Sequence, residues 1–246
     1  IKGVGGKIIY TKAELFSSSK IINRTNLNLS TEQKSFLDRV KKIKEFNTDN
    51  KISNIINSFS KLKVLIIGET IIDEYVYCEA LGKSGKEPVL VLRDLYKERY
   101  LGGTAAIARN LSSFCSKITL LTNIGQKGEE RQFIKRNLQK NIKTFLLNKK
   151  SSSTIIKKRF VEDINKAKVL GVYSLNDQPL NFEQEQQFNN KILKYISSHD
   201  LVIVSDYGHG LISDNTAKLI IKNSKFLAVN TQLNASNLGF HVISKY

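Results

Sequence analysis

Two adjacent glycines, Gly102 and Gly103, open the alanine-rich run Thr104-Ala105-Ala106-Ile107-Ala108 and are the residues of this chain best suited to hold a ligand against main chain. A helix start carries unpaired N–H groups and a partial positive charge, and glycines there remove Cβ atoms that would keep a ligand away. Such a start suits a polyol or a sugar phosphate. A tight turn followed by close helix packing uses the same residues. Acids supply complementary chemistry. Glu69 and Asp73 follow the apolar run Val64-Leu65-Ile66-Ile67, and Asp206 opens Asp206-Tyr207-Gly208-His209-Gly210 after Leu201-Val202-Ile203-Val204. A carboxylate there can bind sugar hydroxyls, help place a metal–nucleotide, or cap the next helix. Thr154-Ile155-Ile156-Lys157-Lys158-Arg159-Phe160 alternates as a strand, with Lys157 and Arg159 on one face and Lys158 on the other. Such cations can meet a phosphate or form a solvated strand face.

These residues need elements to position them. From Lys61 onward, short apolar runs alternate with helical periodicity, the mark of a mainly parallel sheet covered by helices. Strands are expected at Val64–Ile67, Ile118–Leu121, Leu201–Val204 and Phe226–Val229, the first an uninterrupted run as in a strand buried on both faces. Helices are expected at about 103–114, 128–140, 182–197 and 214–223. In open sheets of this kind ligands bind beyond the carboxyl ends of the strands, where the acids fall. Tyr75–Leu101 and Thr154–Tyr173 alternate without an intervening helix and are expected to form hairpins standing off the main sheet as a lid. Residues 26–60 are polar and helical in period, with Ser30 and Gln33 spaced as a capping box and Asn47-Thr48-Asp49-Asn50 as a turn.

Composition narrows the function class. With 246 residues and 41% hydrophobic content the chain can bury a real core. No apolar run is long enough to span a bilayer, and the first residues lack the apolar core of a signal peptide, so no membrane partner and a cytoplasmic location are expected. The net charge of +17 comes from lysines scattered along the whole chain rather than from one basic patch, so no nucleic-acid partner is expected. Cys78 and Cys115 form no Cys-x-x-Cys pattern, and His199, His209 and His241 show no metal-ligand spacing; structural or incidental roles are expected for all five, and no metal site. The chain contains no methionine and is expected to be a piece of a longer protein.

The ordered set Gly68–Asp73, Gly102-Gly103, Gly125-Gln126-Lys127-Gly128-Glu129-Glu130, Thr154–Phe160 and Asp206–Gly210 resembles the ribokinase-like (PfkB) sugar kinases, most nearly their heptose-phosphate branch, over Leu62–Tyr246. The resemblance implies a doubly wound α/β domain with a small β lid, using ATP and Mg²⁺ to phosphorylate a sugar or sugar phosphate. It implies that Asp73 binds substrate hydroxyls, that Gly102, Gly103 and Thr104 line the sugar, and that Lys158 or Arg159 lies near the substrate phosphate. Asp206 would lie near the phosphoryl-transfer centre, and two copies would pair through the lid. The family's Gly-Ala-Gly-Asp motif, with its catalytic base, would fall beyond Tyr246. Ala106 stands where the family usually has Asn, and Gln126 where it usually has Asp. Both departures suit a domain that binds sugar without catalysis.

The segment Phe16-Ser17-Ser18-Ser19-Lys20-Ile21-Ile22-Asn23-Arg24 resembles the Ser-rich helix start near the end of cytidylyltransferase-like nucleotidyltransferases. There Ser17, Ser18 and Ser19 would hold nucleotide phosphates, or act as a plain N-cap. The organisation expected is a nucleotidyltransferase tail over 1–25, a helical linker over 26–60 and a sugar kinase domain over 61–246. Bifunctional heptose enzymes join the two activities in the opposite order.

Overall fold

Apolar residues in β1 (Lys63–Gly68) alternate between two cores, and that alternation organises the molecule. The computed structural model describes residues 29–42, 49–232 and 244–246; the strand expected at Lys7–Tyr10, Ser17–Ser19 and His241 lie outside them. The chain divides into two units, Ile1–Asn54 and Ile55–Tyr246.

In the first unit α1 (Thr31–Lys42) begins with the expected capping box. The Ser30 N–H donates to Gln33 Oε1 at 2.8 Å, and the Gln33 N–H to Ser30 Oγ at 3.2 Å. A second helix, α2 (Asp49–Ser58), crosses into the second unit.

The second unit is a doubly wound α/β domain. Its main sheet runs β5-β4-β1-β8-β9, with β4 at Lys117–Gly125, β5 at Ile142–Lys149, β8 at Leu201–Asp206 and β9 at Leu227–Thr231. Every neighbouring pair is parallel. β5, a strand the apolar runs had not revealed, completes one edge. Val64 and Ile66 pack with Ala105 and Ala108 of α3 (Gly103–Leu111) and Ile134 of α4 (Arg131–Asn137). Leu65 and Ile67 face Phe188, Ile192 and Ile196 of α5 (Phe182–Ile196), with Ala217 and Ile220 of α6 (Asp214–Asn223). Burying each large aliphatic side chain contributes roughly 1.5–3 kcal/mol. Asn181 and Ser213 cap α5 and α6, accepting the N–H groups of Gln184 at 2.9 Å and Thr216 at 3.1 Å.

The lid is a second, four-stranded sheet in the order β3-β2-β6-β7, with β2 at Thr70–Lys83, β3 at Leu90–Gly102, β6 at Ile155–Glu162 and β7 at Lys168–Ser174. β2 leaves the main sheet one residue after β1 ends, pairing antiparallel with β3 and parallel with β6. The last strand, β7, is exposed along its whole length. Cys78 and Cys115 are buried free thiols, and among the described residues no helix is long and apolar enough to cross a membrane.

Candidate functional site

The site begins where the chain passes from main sheet to lid. In the β2–β3 ladder Ile71 pairs with Gly102 and Asp73 with Tyr100, which brings the Asp73 carboxylate over Gly102. A Cβ on Gly102 would run into Asp73 Oδ2. Gly103 adopts φ 58°, a left-handed conformation costly for any side chain, and a Cβ there would strike the Glu69 carbonyl. The diglycine and Asp73 therefore occupy one place. One helix-start amide is engaged, the Thr104 N–H donating to Glu69 O at 3.0 Å, and Gly102 and Gly103 stand opposite Ile71 and Thr70 of β2. What the diglycine supplies is room for the Asp73 carboxylate and the Glu69 carbonyl.

Cations come from β6. Lys157 stands in register with Asp73, and Arg159 Nη1 donates to Asp73 Oδ1 at 2.6 Å. The Arg159 guanidinium lies 5.5 Å from the Tyr75 ring and 5.8 Å from the Tyr173 ring. Lys157 is held below the usual lysine range, first by burial and then by Arg159, while Asp73, Asp177 and Glu69 pull it back. On the opposite face of the lid Lys158 is tied to Glu74 at 3.0 Å. Arg99 bridges Glu74 at 3.2 Å and Glu130 at 2.6 Å, over the Phe133 ring.

Beyond the carboxyl ends of β1 and β8 lies a charged cluster in which Glu69, Asp206, Lys149 and His209 are buried and Asp177 is half-buried. Glu69, fully buried, accepts the N–H groups of Tyr207 at 3.0 Å, His209 at 3.2 Å and Leu211 at 3.4 Å. Burial, then the neighbouring Asp206, raises its carboxyl to about 7. Asp206 is 1% exposed and accepts from the Gly208 N–H at 2.9 Å, Tyr246 Oη at 3.2 Å and Lys245 Nζ at 3.4 Å. Lys149 Nζ reaches the carbonyls of Asn176 at 2.6 Å and His209 at 2.9 Å. His209 donates Nδ1–H to Asp177 Oδ1 at 2.7 Å. Among the described residues no group of three or more His, Cys, Asp or Glu could hold a metal ion. A magnesium ion carried on nucleotide phosphates needs no such cage.

Asp73, Gly102, Gly103 and Arg159 thus come together, with Asp206 at the adjoining strand ends. Two expectations are corrected. The Thr104 side chain is fully buried, and its hydroxyl meets Gly68 O at 3.2 Å, Thr70 Oγ1 at 3.3 Å and Thr122 Oγ1 at 3.4 Å, so it braces the β1–β2 crossing instead of facing a ligand. Lys158 points away from Asp73, because strand alternation places it on the Glu74 face. Glu69 and Lys157, an acid and a cation the sequence had offered, are joined by Lys149 and Asp177, which it had not. The pleat already set Lys157 beside Arg159; Lys149 and Asp177 needed tertiary pairing to be seen. His209 belongs to this cluster instead of an incidental position. His199 is structural as expected, its Nε2 2.9 Å from Thr119 Oγ1.

Gln126, the departure from the Asp of the resembling family, holds the loop after β5. Its Oε1 accepts the Ser151 N–H at 2.7 Å and its own N–H donates to Ser152 O at 2.8 Å. Ala106 is half-buried on α3.

No protein-family model matches the chain. The bifunctional protein HldE of Campylobacter jejuni (strain RM1221) is 29% identical over 189 residues, covering 77% of this chain and 38% of that protein. HldE of Helicobacter pylori (strain G27) is 30% identical over 160 residues, covering 65% of this chain and 34% of its own length. The chain spans well under half the length of the curated relatives it matches. Among solved structures, phosphofructokinase-2 from Escherichia coli superposes with a TM-score of 0.54 at 13% identity, over 74% of this chain and 57% of that one. A possible 1-phosphofructokinase from Thermotoga maritima gives 0.53 at 13% identity, over 69% and 54%. Similar in sequence to the bifunctional HldE proteins, this chain carries the ribokinase-like fold of the carbohydrate kinases.

Proposed function

We propose that this chain forms the sugar-binding part of a carbohydrate kinase within a bifunctional kinase and nucleotidyltransferase. The acceptor is a sugar phosphate of the heptose-phosphate type, and ATP with Mg²⁺ supplies the phosphoryl group. One observation carries the reading: Asp73 lies against Gly102 and faces two cations, Arg159 and Lys157, from the neighbouring strand. A carboxylate accepts from sugar hydroxyls, the missing Cβ of Gly102 lets that carboxylate lie against the main chain, and the paired cations match a phosphate monoester. Asp206, at the end of β8, is assigned to the phosphoryl-transfer region on the resemblance. Ser17, Ser18 and Ser19 are assigned to nucleotide phosphate in the first segment on the resemblance alone.

The reaction asks these residues mainly for positioning and charge. Arg159 already neutralises Asp73, so an incoming phosphate group competes for the guanidinium and frees the carboxylate to orient the sugar. The exposed Leu170, Val172 and Tyr173 of β7 support pairing of two copies through the lid.

The test is ATP turnover by the full-length gene product on a panel of sugars and sugar phosphates. Turnover on a heptose phosphate and not on the free sugar is expected. Binding of a sugar phosphate without turnover on any acceptor selects the second reading, a non-catalytic sugar-binding or dimerising domain, which Ala106 and Gln126 favour. Absence of both binding and turnover removes the kinase reading.

A further inference from the structure

Arg159 engages only part of its guanidinium. Nη1 donates to Asp73 Oδ1 at 2.6 Å and to the Lys157 carbonyl at 3.4 Å, while Nε and Nη2 have no hydrogen-bond partner among the described residues. A guanidinium carries its donors in a fixed fork, and a free edge of that fork matches two oxygens of one phosphate. Arg159 also lines a cavity of about 430 Å³, together with Lys168, Val169, Leu170, Gly171 and Tyr173 of β7. Gly171 stands opposite Arg159 in the β6–β7 ladder, so no side chain from that position covers the guanidinium.

Lys168 reaches this face through a β-bulge. Phe160 pairs with Leu170 and Val161 with Lys168, which makes Val169 the extra residue. In an unbroken ladder Val169 would stand opposite Val161, and Lys168 would fall on the other face of the lid. The bulge turns Lys168 to the face of Val161 and, two residues back, of Arg159. Lys168 is exposed and makes no ion pair among the described residues, whereas Lys166 is tied to Asp163 at 2.6 Å and Lys158 to Glu74 at 3.0 Å. Asp73 balances one of the two charges at the cavity; the charge of Lys168 is left for a ligand.

We propose that this cavity seats the phosphate of the acceptor, held by the free edge of Arg159 and by Lys168, and that Lys168 makes the site select a sugar phosphate over the free sugar. A phosphate dianion matches two cations that a neutral polyol leaves uncompensated. The assignment rests on the sugar-phosphate reading above and leaves the hydroxyl contact to Asp73. It adds a cation from β7, a strand that the resemblance had left without a ligand contact.

The test is equilibrium binding of a heptose phosphate, the same heptose without phosphate, and inorganic phosphate to the full-length protein and its variants. Lys168→Ala is expected to weaken heptose-phosphate binding roughly tenfold and to leave the free heptose unchanged. Lys168→Arg is expected to restore the affinity, and Lys168→Glu to lower it further than alanine does. Lys166→Ala removes the same charge two residues away and is expected to leave both sugars unchanged. A packing role for Lys168 would weaken both sugars alike. Should the alanine variant fail to fold, Lys168→Glu reads the same contact. Heptose-phosphate binding that Lys168→Ala and Lys168→Glu leave unchanged while Arg159→Ala weakens it overturns this inference alone. So does a loss that Lys166→Ala reproduces in full, or inorganic phosphate that binds as tightly as the heptose phosphate. A wild type that binds neither sugar removes the sugar reading with it.

Discussion

Arg159 reaches Asp73 from the neighbouring strand, Nη1 to Oδ1 at 2.6 Å, with Lys157 in register opposite the same carboxylate. The acid proposed to hold the sugar is thus gripped by a cation proposed to hold its phosphate. Asp73→Asn keeps the shape and removes the charge, and is expected to lower kcat/KM at least a hundredfold, about 2.7 kcal/mol. Arg159→Ala is expected to raise KM for a sugar phosphate more than for the free sugar, and a double-mutant cycle should show coupling of about 0.5–3 kcal/mol. Equal losses on both acceptors would argue against a phosphate at Arg159.

Gly102→Ala tests the room beside that carboxylate. The new methyl meets Asp73 Oδ2, the end of a movable side chain, so the fold survives while the acid is pushed aside. Sugar affinity is expected to fall at least tenfold with a change in unfolding midpoint of only a few degrees, measured by calorimetry with and without ligand. Gly103→Ala behaves differently. Its Cβ strikes the Glu69 backbone carbonyl at φ 58°, and stability falls with it.

Glu69 makes stability depend on pH. Its carboxyl is raised from 4.5 to about 7, so the folded chain binds the proton more tightly than the unfolded one. The stabilisation is complete below about 4.5 and is lost as pH rises through about 7, up to roughly 3 kcal/mol. His209, held low, works in the opposite sense, losing stability as pH falls below its unfolded value. Denaturant titrations at several pH values should show the falling component in the wild type and not in Glu69→Gln.

Thr104→Val and Lys158→Ala separate support from binding. Thr104 lies among buried hydroxyls, so valine is expected to cost about 1–3 kcal/mol of stability and leave KM for the sugar phosphate unchanged. Lys158 makes a partly exposed pair with Glu74, worth about 1 kcal/mol or less, and alanine there should leave KM unchanged where Lys157→Ala raises it. A rise in KM for Lys158→Ala would return the phosphate to the other face of the lid.

Local periodicity reveals a great deal of this molecule. The Val64–Ile67 and Leu201–Val204 runs, the α5 and α6 stripes and the Ser30–Gln33 box all appear where spacing alone places them, because each depends on neighbours a few residues away. β5 was not legible: Lys143, Thr144 and Asn148 interrupt its apolar residues, and it becomes a strand by pairing with β4 at the sheet edge. α4 is shorter than its periodicity implies, ending at Asn137 as the chain turns toward that strand.

The site divides the same way. Residue types and spacing single out Glu69, Asp73, the diglycine, Asp206 and the cations of the Thr154–Phe160 strand, and the strand pleat separates Lys157 and Arg159 from Lys158. That Thr104 faces inward was decided by the crossing of β1 into the lid, where three threonines from distant segments share hydroxyl contacts. The assembly of Glu69, Lys149, Asp177 and His209 was settled there too, since their partners lie 27 to 142 residues apart and meet only when the parallel strands align their carboxyl ends. Side-chain period is a property of the local chain. Which buried charge finds which partner is a property of the packed whole.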